Sequence, residues 1–254
     1  MRGRAVPTTL VRFPQPHLRS RSWGTHISFQ RPDGQSVHGY LATPAGAAVA
    51  NGPGVVVLQE WWGLNDQIRG VADRYAEAGY TALVPDLYRG KSTVEAAEAE
   101  HLMTNLNFGD AAGQDTRGAV QFLKARCGKV GVTGYCMGGA LTLLSMVHVP
   151  EADAGVAWYG FPPLEYIDAS KIKAPLMAHW GTADVPFPIA GVDALEAKLR
   201  EAKVAFEFHR YAAEHAFANE TQVEGRRLPI TRYDPECAAL AWDRTLAFFG
   251  KHLG

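Results

Sequence analysis

Residues 130–139 read Val-Gly-Val-Thr-Gly-Tyr-Cys-Met-Gly-Gly. The core of this stretch, Gly134-Tyr135-Cys136-Met137-Gly138, puts a cysteine where a G-x-S-x-G turn between a strand and a helix carries its serine. Such a turn strains the backbone of its central residue and lifts that side chain above the sheet. Side chains at 134 and 138 would collide with neighbouring backbone, so both positions must be small. Cys136 would stand at a helix N-terminus, where the dipole favours a thiolate. The N–H of Met137 would be free to donate to an oxyanion. Residue types and spacing therefore point to nucleophilic attack on an acyl carbon. The competing reading is a buried structural cysteine after a glycine-rich turn. The strand before, the helix after and the Gly138-Gly139 pair favour the nucleophile.

A nucleophile in such a turn needs a base, and the base needs an orienting acid. In α/β-hydrolases these follow in the order nucleophile, acid, histidine. The apolar run 176–180 leads into Gly181-Thr182-Ala183-Asp184, which makes Asp184 the expected acid; the alternative is a turn aspartate capping the next helix. Asp193 falls inside that helix and is the weaker candidate. The run 204–211 leads into Glu214-His215-Ala216-Phe217, which singles out His215 among nine histidines as the base. His179 lies on a strand and ranks next, while His209 lies inside a strand.

The elements that must hold these groups alternate along the chain. Strands are expected at 39–42, 55–59, 81–84, 130–133, 154–159, 176–180 and 204–211. Helices are expected at 67–78, 94–105, 114–125, 137–148, 189–202 and 235–251. Alternation of this kind builds a mainly parallel sheet with helices on both faces. The run Val55-Val56-Val57-Leu58 is apolar throughout, as a strand buried on both faces should be.

The 254 residues suit one α/β domain at 26–254. Residues 1–25 carry five arginines and no acid. They read as a disordered extension or an over-long start, and a transit-like peptide shares that composition. A formal net charge of −1 gives no bulk attraction to nucleic acid or an anionic membrane. No apolar run reaches the roughly 18 residues of a membrane helix. Cys127, Cys136 and Cys237 form neither a disulfide framework nor a C-x-x-C zinc pair. A reducing, cytoplasmic setting is expected, with no metal or organic cofactor, as a monomer or small homo-oligomer.

Taken together, Gly134–Gly139, Gly181–Asp184, Glu214–Phe217, Gln59-Glu60-Trp61-Trp62-Gly63-Leu64-Asn65 and Val84-Pro85-Asp86-Leu87-Tyr88 resemble the dienelactone hydrolase (carboxymethylenebutenolidase) family. The resemblance runs from about Gly39 to the C-terminus. It implies an α/β-hydrolase fold and cleavage of a lactone or small ester through Cys136, His215 and Asp184. It also implies that Glu60 lies beside the nucleophile, holds the resting thiol protonated and swings away when substrate binds. On the same resemblance, the N–H of Trp61 would be the second oxyanion donor beside Met137. Two departures bear on substrate. The family's dienelactone-cleaving members bind the substrate carboxylate with arginines; one such position is Asn219 here, and no arginine occurs between Arg89 and Arg117. The segment 219–233 is longer than the family norm and carries Arg226, Arg227 and Arg232, which offer either surface charge or a carboxylate partner from a new direction.

Trp61, Trp62, Tyr88, Phe187 and Phe217 are candidates to line a substrate pocket with Asn219, whereas Trp158 and Tyr159 are expected in the core. The expected partner is a small ester or lactone, with neither nucleic acid nor membrane. A general carboxylesterase or thioesterase for neutral substrates is the nearest alternative. A non-catalytic binding protein on a hydrolase scaffold is the alternative from another class.

Overall fold

The computed structural model describes residues 24–45, 51–224 and 228–254. Eight strands form one sheet in the order β1-β2-β4-β3-β5-β6-β7-β8. They are β1 Gly24–Gln30, β2 Ser36–Ala42, β3 Gly54–Leu58, β4 Thr81–Pro85, β5 Val130–Tyr135, β6 Ala154–Trp158, β7 Leu176–Gly181 and β8 Phe206–Tyr211. β1 and β2 pair antiparallel, β2 runs antiparallel to β4, and every pair from β4 to β8 is parallel.

Alternation along the central strands separates two cores. Val56 and Leu58 of β3 join Val130 and Val132 of β5 on one face. Val55 and Val57 point to the other face with Val156 of β6. The first face is covered by α4 (Arg117–Lys124), α5 (Met137–His148) and α6 (Ile189–Glu201), and the second by α1 (Asp66–Glu77) and α7 (Pro235–Leu253). Period-2 burial on both sides is what continuous apolar strands are for.

The structure adds to the expected elements at the edges. β1 is new; only Phe29 in it is buried, so its sequence gives almost no apolar alternation. It starts at Gly24, two residues ahead of the expected domain start, and the rest of 1–25 lies outside the described residues. The helix expected at 94–105 begins instead at Ala96, as α2 (Ala96–Thr104), and Val94 is exposed. The helix expected at 114–125 is longer and composite. A turn of α3 (Phe108–Asp110) passes into a π-helical stretch, Ala111–Thr116, and then into α4. In that stretch Asp115 is buried and accepts from Arg31 at 3.1 Å and from Arg89 at 2.9 Å, tying it to the end of β1. Periodicity of 3.6 cannot announce a π turn, whose local repeat is wider.

This topology fixes where chemistry occurs. The loops after β3, β5, β7 and β8 all leave the carboxyl edge of the parallel sheet. β3 and β5 are neighbours from which the chain departs in opposite directions, so their loops flank the switch point where such sheets bind ligands.

Candidate active site

Cys136 sits between β5 and α5 with φ 55° and ψ −116°, a conformation that costs a side-chain-bearing residue about 1–3 kcal/mol. The backbone around it is packed too closely for alternatives. A Cβ on Gly134 would lie 2.2 Å from the Gly138 carbonyl oxygen, and one on Gly138 would lie 2.4 Å from that of Leu58. Gly134 is therefore required by the close approach of the Gly138 backbone, and Gly138 by that of the end of β3. Cys136 N–H donates to the Trp158 carbonyl at 3.0 Å, which anchors the turn to β6.

His215 and Asp184 come to this turn from the ends of β8 and β7. His215 Nδ1 donates to Asp184 Oδ2 at 2.8 Å, and Nε2 faces Cys136 Sγ at 3.2 Å. Asp184 Oδ1 accepts from Phe187 N–H at 2.8 Å, so both carboxylate oxygens are engaged. Phe187 lies over the imidazole at 5.5 Å between centroids and Tyr159 meets it edge-on at 5.3 Å. Burial works against a charged imidazole, but the sulfur of Cys136 and the Asp184 carboxylate outweigh it and His215 is pushed up to about 10.

Glu60 follows β3 and is buried beside the site. Its Oε2 accepts from Asn219 Nδ2 at 2.7 Å and its Oε1 from the Tyr159 hydroxyl at 3.2 Å. Burial pushes its carboxyl above the usual range, against the pull of His215, Asn219 and Tyr159. The sulfur of Cys136 is turned to His215, not held by Glu60, so the resting arrangement expected for the thiol is not the conformer seen. The N–H groups of Met137 and Trp61 find no backbone acceptor among the described residues outside regular ladders.

A cavity of about 860 Å³ opens onto Cys136, Glu60, Trp61, Trp62, Met137 and His215. Phe187 also lines it. Three expected pocket residues do not. Phe217 is fully buried against Trp158, Tyr159 and Tyr211, because the chain after His215 turns inward to pack α7. Tyr88 is buried beneath Met137, its hydroxyl 3.2 Å from the methionine sulfur. Asn219 is buried behind Glu60, and its own carbonyl accepts from Thr221. Tyr159 is in the core as expected, but its hydroxyl also serves Glu60, and its φ of 38° marks a position that spacing did not flag. Arg232 lies 3.9 Å from Glu214 and is exposed, while Arg226 and Arg227 fall outside the described residues.

His179, the second choice of base, is fully buried between the Tyr211 hydroxyl at 2.9 Å and Thr245 Oγ1 at 2.8 Å, with no contact to Cys136. Burial, then His209 and Arg244, holds it well below its ordinary value of 6.5. A histidine kept neutral in the folded state stabilises fully above 6.5. Below that value the unfolded chain takes up a proton that the folded chain refuses. Stability should then fall by up to about 1.4 kcal/mol per pH unit on His179's account. Urea midpoints between pH 7 and 5 should fall more steeply in wild type than in His179→Asn; parallel lines would mean that His179 titrates normally.

Among the described residues no helix is long and apolar enough to cross a membrane. The sequence model described as the dienelactone hydrolase family matches residues 37–253. Protein usf of Aquifex pyrophilus is 35% identical over 91% of this chain and 99% of its own. A protein of Aquifex aeolicus provisionally named a carboxymethylenebutenolidase is 31% identical over the same shares. A solved dienelactone hydrolase-like promiscuous phosphotriesterase from metagenomic libraries superposes with a TM-score of 0.80 at 25% identity, covering 91% of this chain and 99% of that one. A family match that runs from the second strand to the last turn of α7 makes this α/β-hydrolase a member of the dienelactone hydrolase family, and so an ester hydrolase.

Proposed function

We propose that the chain hydrolyses neutral, largely apolar carboxylic esters or lactones through Cys136, His215 and Asp184. The observation that carries this reading is the unbroken line from Asp184 Oδ2 through His215 to Cys136 Sγ, with contacts of 2.8 and 3.2 Å, opening into a cavity walled by aromatic and aliphatic side chains. His215 Nε2, pushed up to about 10, holds the proton that the Cys136 thiol gives up, and the sulfur bonds to the acyl carbon. The carbonyl electron pair moves onto oxygen, where Met137 and Trp61 N–H groups receive it. Collapse breaks the carbon–oxygen bond, and His215 gives its proton to the leaving oxygen. Water then adds to the thioester, passing a proton to His215. The carbon–sulfur bond breaks, and the proton returns to sulfur. Asp184 holds the imidazole in the tautomer these transfers need. Glu60, held by Asn219 and Tyr159, adds negative character beside the acyl site when ionised, which disfavours an anionic substrate there.

The test is a panel of neutral p-nitrophenyl esters set against cis- and trans-dienelactone, which carry a carboxylate. We expect neutral esters to exceed the dienelactones in kcat/KM by at least about tenfold, since no arginine among the described residues lines the cavity, and a carboxylate there forfeits a charge-assisted bond. Faster dienelactone turnover would refute the neutral-substrate assignment. Ligand binding without turnover of any ester would replace the enzyme reading with that of a binding protein on a hydrolase scaffold.

A further inference from the structure

Cys136, Met137, Ala140, Leu144 and His148 all line the cavity. From Cys136 the last three recur every four residues, the spacing of one face of a helix. The cavity therefore follows α5 along its length. At about 1.5 Å per residue, the path from Cys136 to His148 is roughly 18 Å, far more than a small lactone needs. Met103, Leu106 and Phe108, around the α2–α3 turn, form the facing wall, and His148 at the far end is exposed. A second group of lining residues, Phe187, Gln222, Leu228 and Ile230, lies on the His215 side.

The topology separates the two groups. α2 and α3 follow β4, on one side of β5, whereas His215 and its neighbours follow β8, three strands away on the other side. The chemistry then assigns them. A leaving oxygen must take its proton from His215 Nε2, so the leaving alcohol has to lie against His215. The carbon chain retained in the thioester must leave Cys136 in the opposite direction.

We propose that the arm along α5 is an acyl-chain channel. The substrates it fits are esters of medium to long unbranched aliphatic acids, with Ala140 and Leu144 as the residues that set chain length. This rests on the Cys136 ester-hydrolase reading and goes further by naming the substrate class and its orientation. Leu144 stands two helical turns from Cys136, so a bulky side chain there closes the far half of the channel.

The experiment measures kcat/KM for p-nitrophenyl acetate, butyrate, octanoate and dodecanoate, and separately for a series of acetates with lengthening alcohols. It uses wild type, Leu144→Trp, Met103→Trp and Ile230→Trp. Met103 approaches the channel from the facing wall and is only partly buried, so it gives a second reading if Leu144→Trp fails to fold. Wild type should favour octanoate over acetate. Leu144→Trp and Met103→Trp should each lower the dodecanoate-to-acetate ratio by at least about tenfold, the worth of about two buried methylenes. Ile230→Trp should change the alcohol profile and leave that ratio within about twofold. An unchanged ratio in folded Leu144→Trp and Met103→Trp would overturn the channel. Reversed effects, with Ile230→Trp altering the acyl profile, would overturn the orientation. Wild type that cleaves none of these esters would overturn the ester-hydrolase reading and the channel together, while cleavage of acetate alone would sink only the channel.

Discussion

Cys136→Ala is expected to lower kcat/KM for a neutral ester by roughly 10⁴- to 10⁶-fold, the range found when a covalent nucleophile is removed from an otherwise intact site. The fold should survive the change. Alanine at a φ of 55° is strained, but cysteine already bears that strain, and the close contacts that hold the turn come from Gly134, Gly138 and backbone. His215 keeps its bond to Asp184, so the variant retains the base without anything to deprotonate. Residual activity then reports what the oxyanion donors and the cavity do unaided. The thiol itself can be followed. Cys127 is buried, while Cys136 faces the cavity and Cys237 is half-buried at the start of α7. Iodoacetamide should modify Cys136 first, with loss of turnover matching its labelling. An enzyme whose Cys127 and Cys237 react while Cys136 resists, or whose Cys136→Ala variant keeps more than about a tenth of wild-type activity, does not use this sulfur as its nucleophile.

That Cys136, His215 and Asp184 come together was legible because each follows a feature that sequence displays well. Glycines on either side of Cys136 announce a turn that tolerates no side chain; Asp184 follows a strand buried throughout and His215 the next strand, in the chain order expected of an α/β-hydrolase. What lay hidden depended on side-chain direction. Tyr88 and Phe217 follow strands that end near Cys136, so linear position made them pocket residues, and Asn219 entered through the family's arginine position. A loop residue chooses between pocket and core by packing, and all three chose the core. Asn219 illustrates the point: loss of an arginine at that place reads as a lost substrate contact, yet the amide is spent on Glu60. The channel along α5 was readable in part. Once Cys136 was placed at a helix start, residues 140, 144 and 148 had to share its face, but only folding showed that α2 and α3 leave that face open. β1 was missed because an edge strand with one buried residue hardly alternates.

Asp184→Asn should cost about 10⁴-fold in kcat/KM, nearly as much as losing the nucleophile, although no reacting atom is touched. The reason lies in the two bonds of the carboxylate. One oxygen accepts from Phe187 N–H and the other from His215 Nδ1. An asparagine that keeps its carbonyl on Phe187 presents its NH₂ to Nδ1. The imidazole must then accept at Nδ1 and carry its proton on Nε2, the nitrogen facing Cys136, where it can no longer take the thiol proton. Stability supplies an independent check. Asp184, after Cys136, helps raise His215 from 6.5 to about 10. A histidine raised in this way adds stability that is complete below 6.5 and fades as pH climbs through about 10. Wild type should therefore exceed Asp184→Asn most clearly in urea midpoint below pH 6.5, and the two should converge above pH 10. A variant within about tenfold of wild-type activity, with midpoints that stay parallel across that interval, would mean that His215 is oriented and charged by some group other than Asp184.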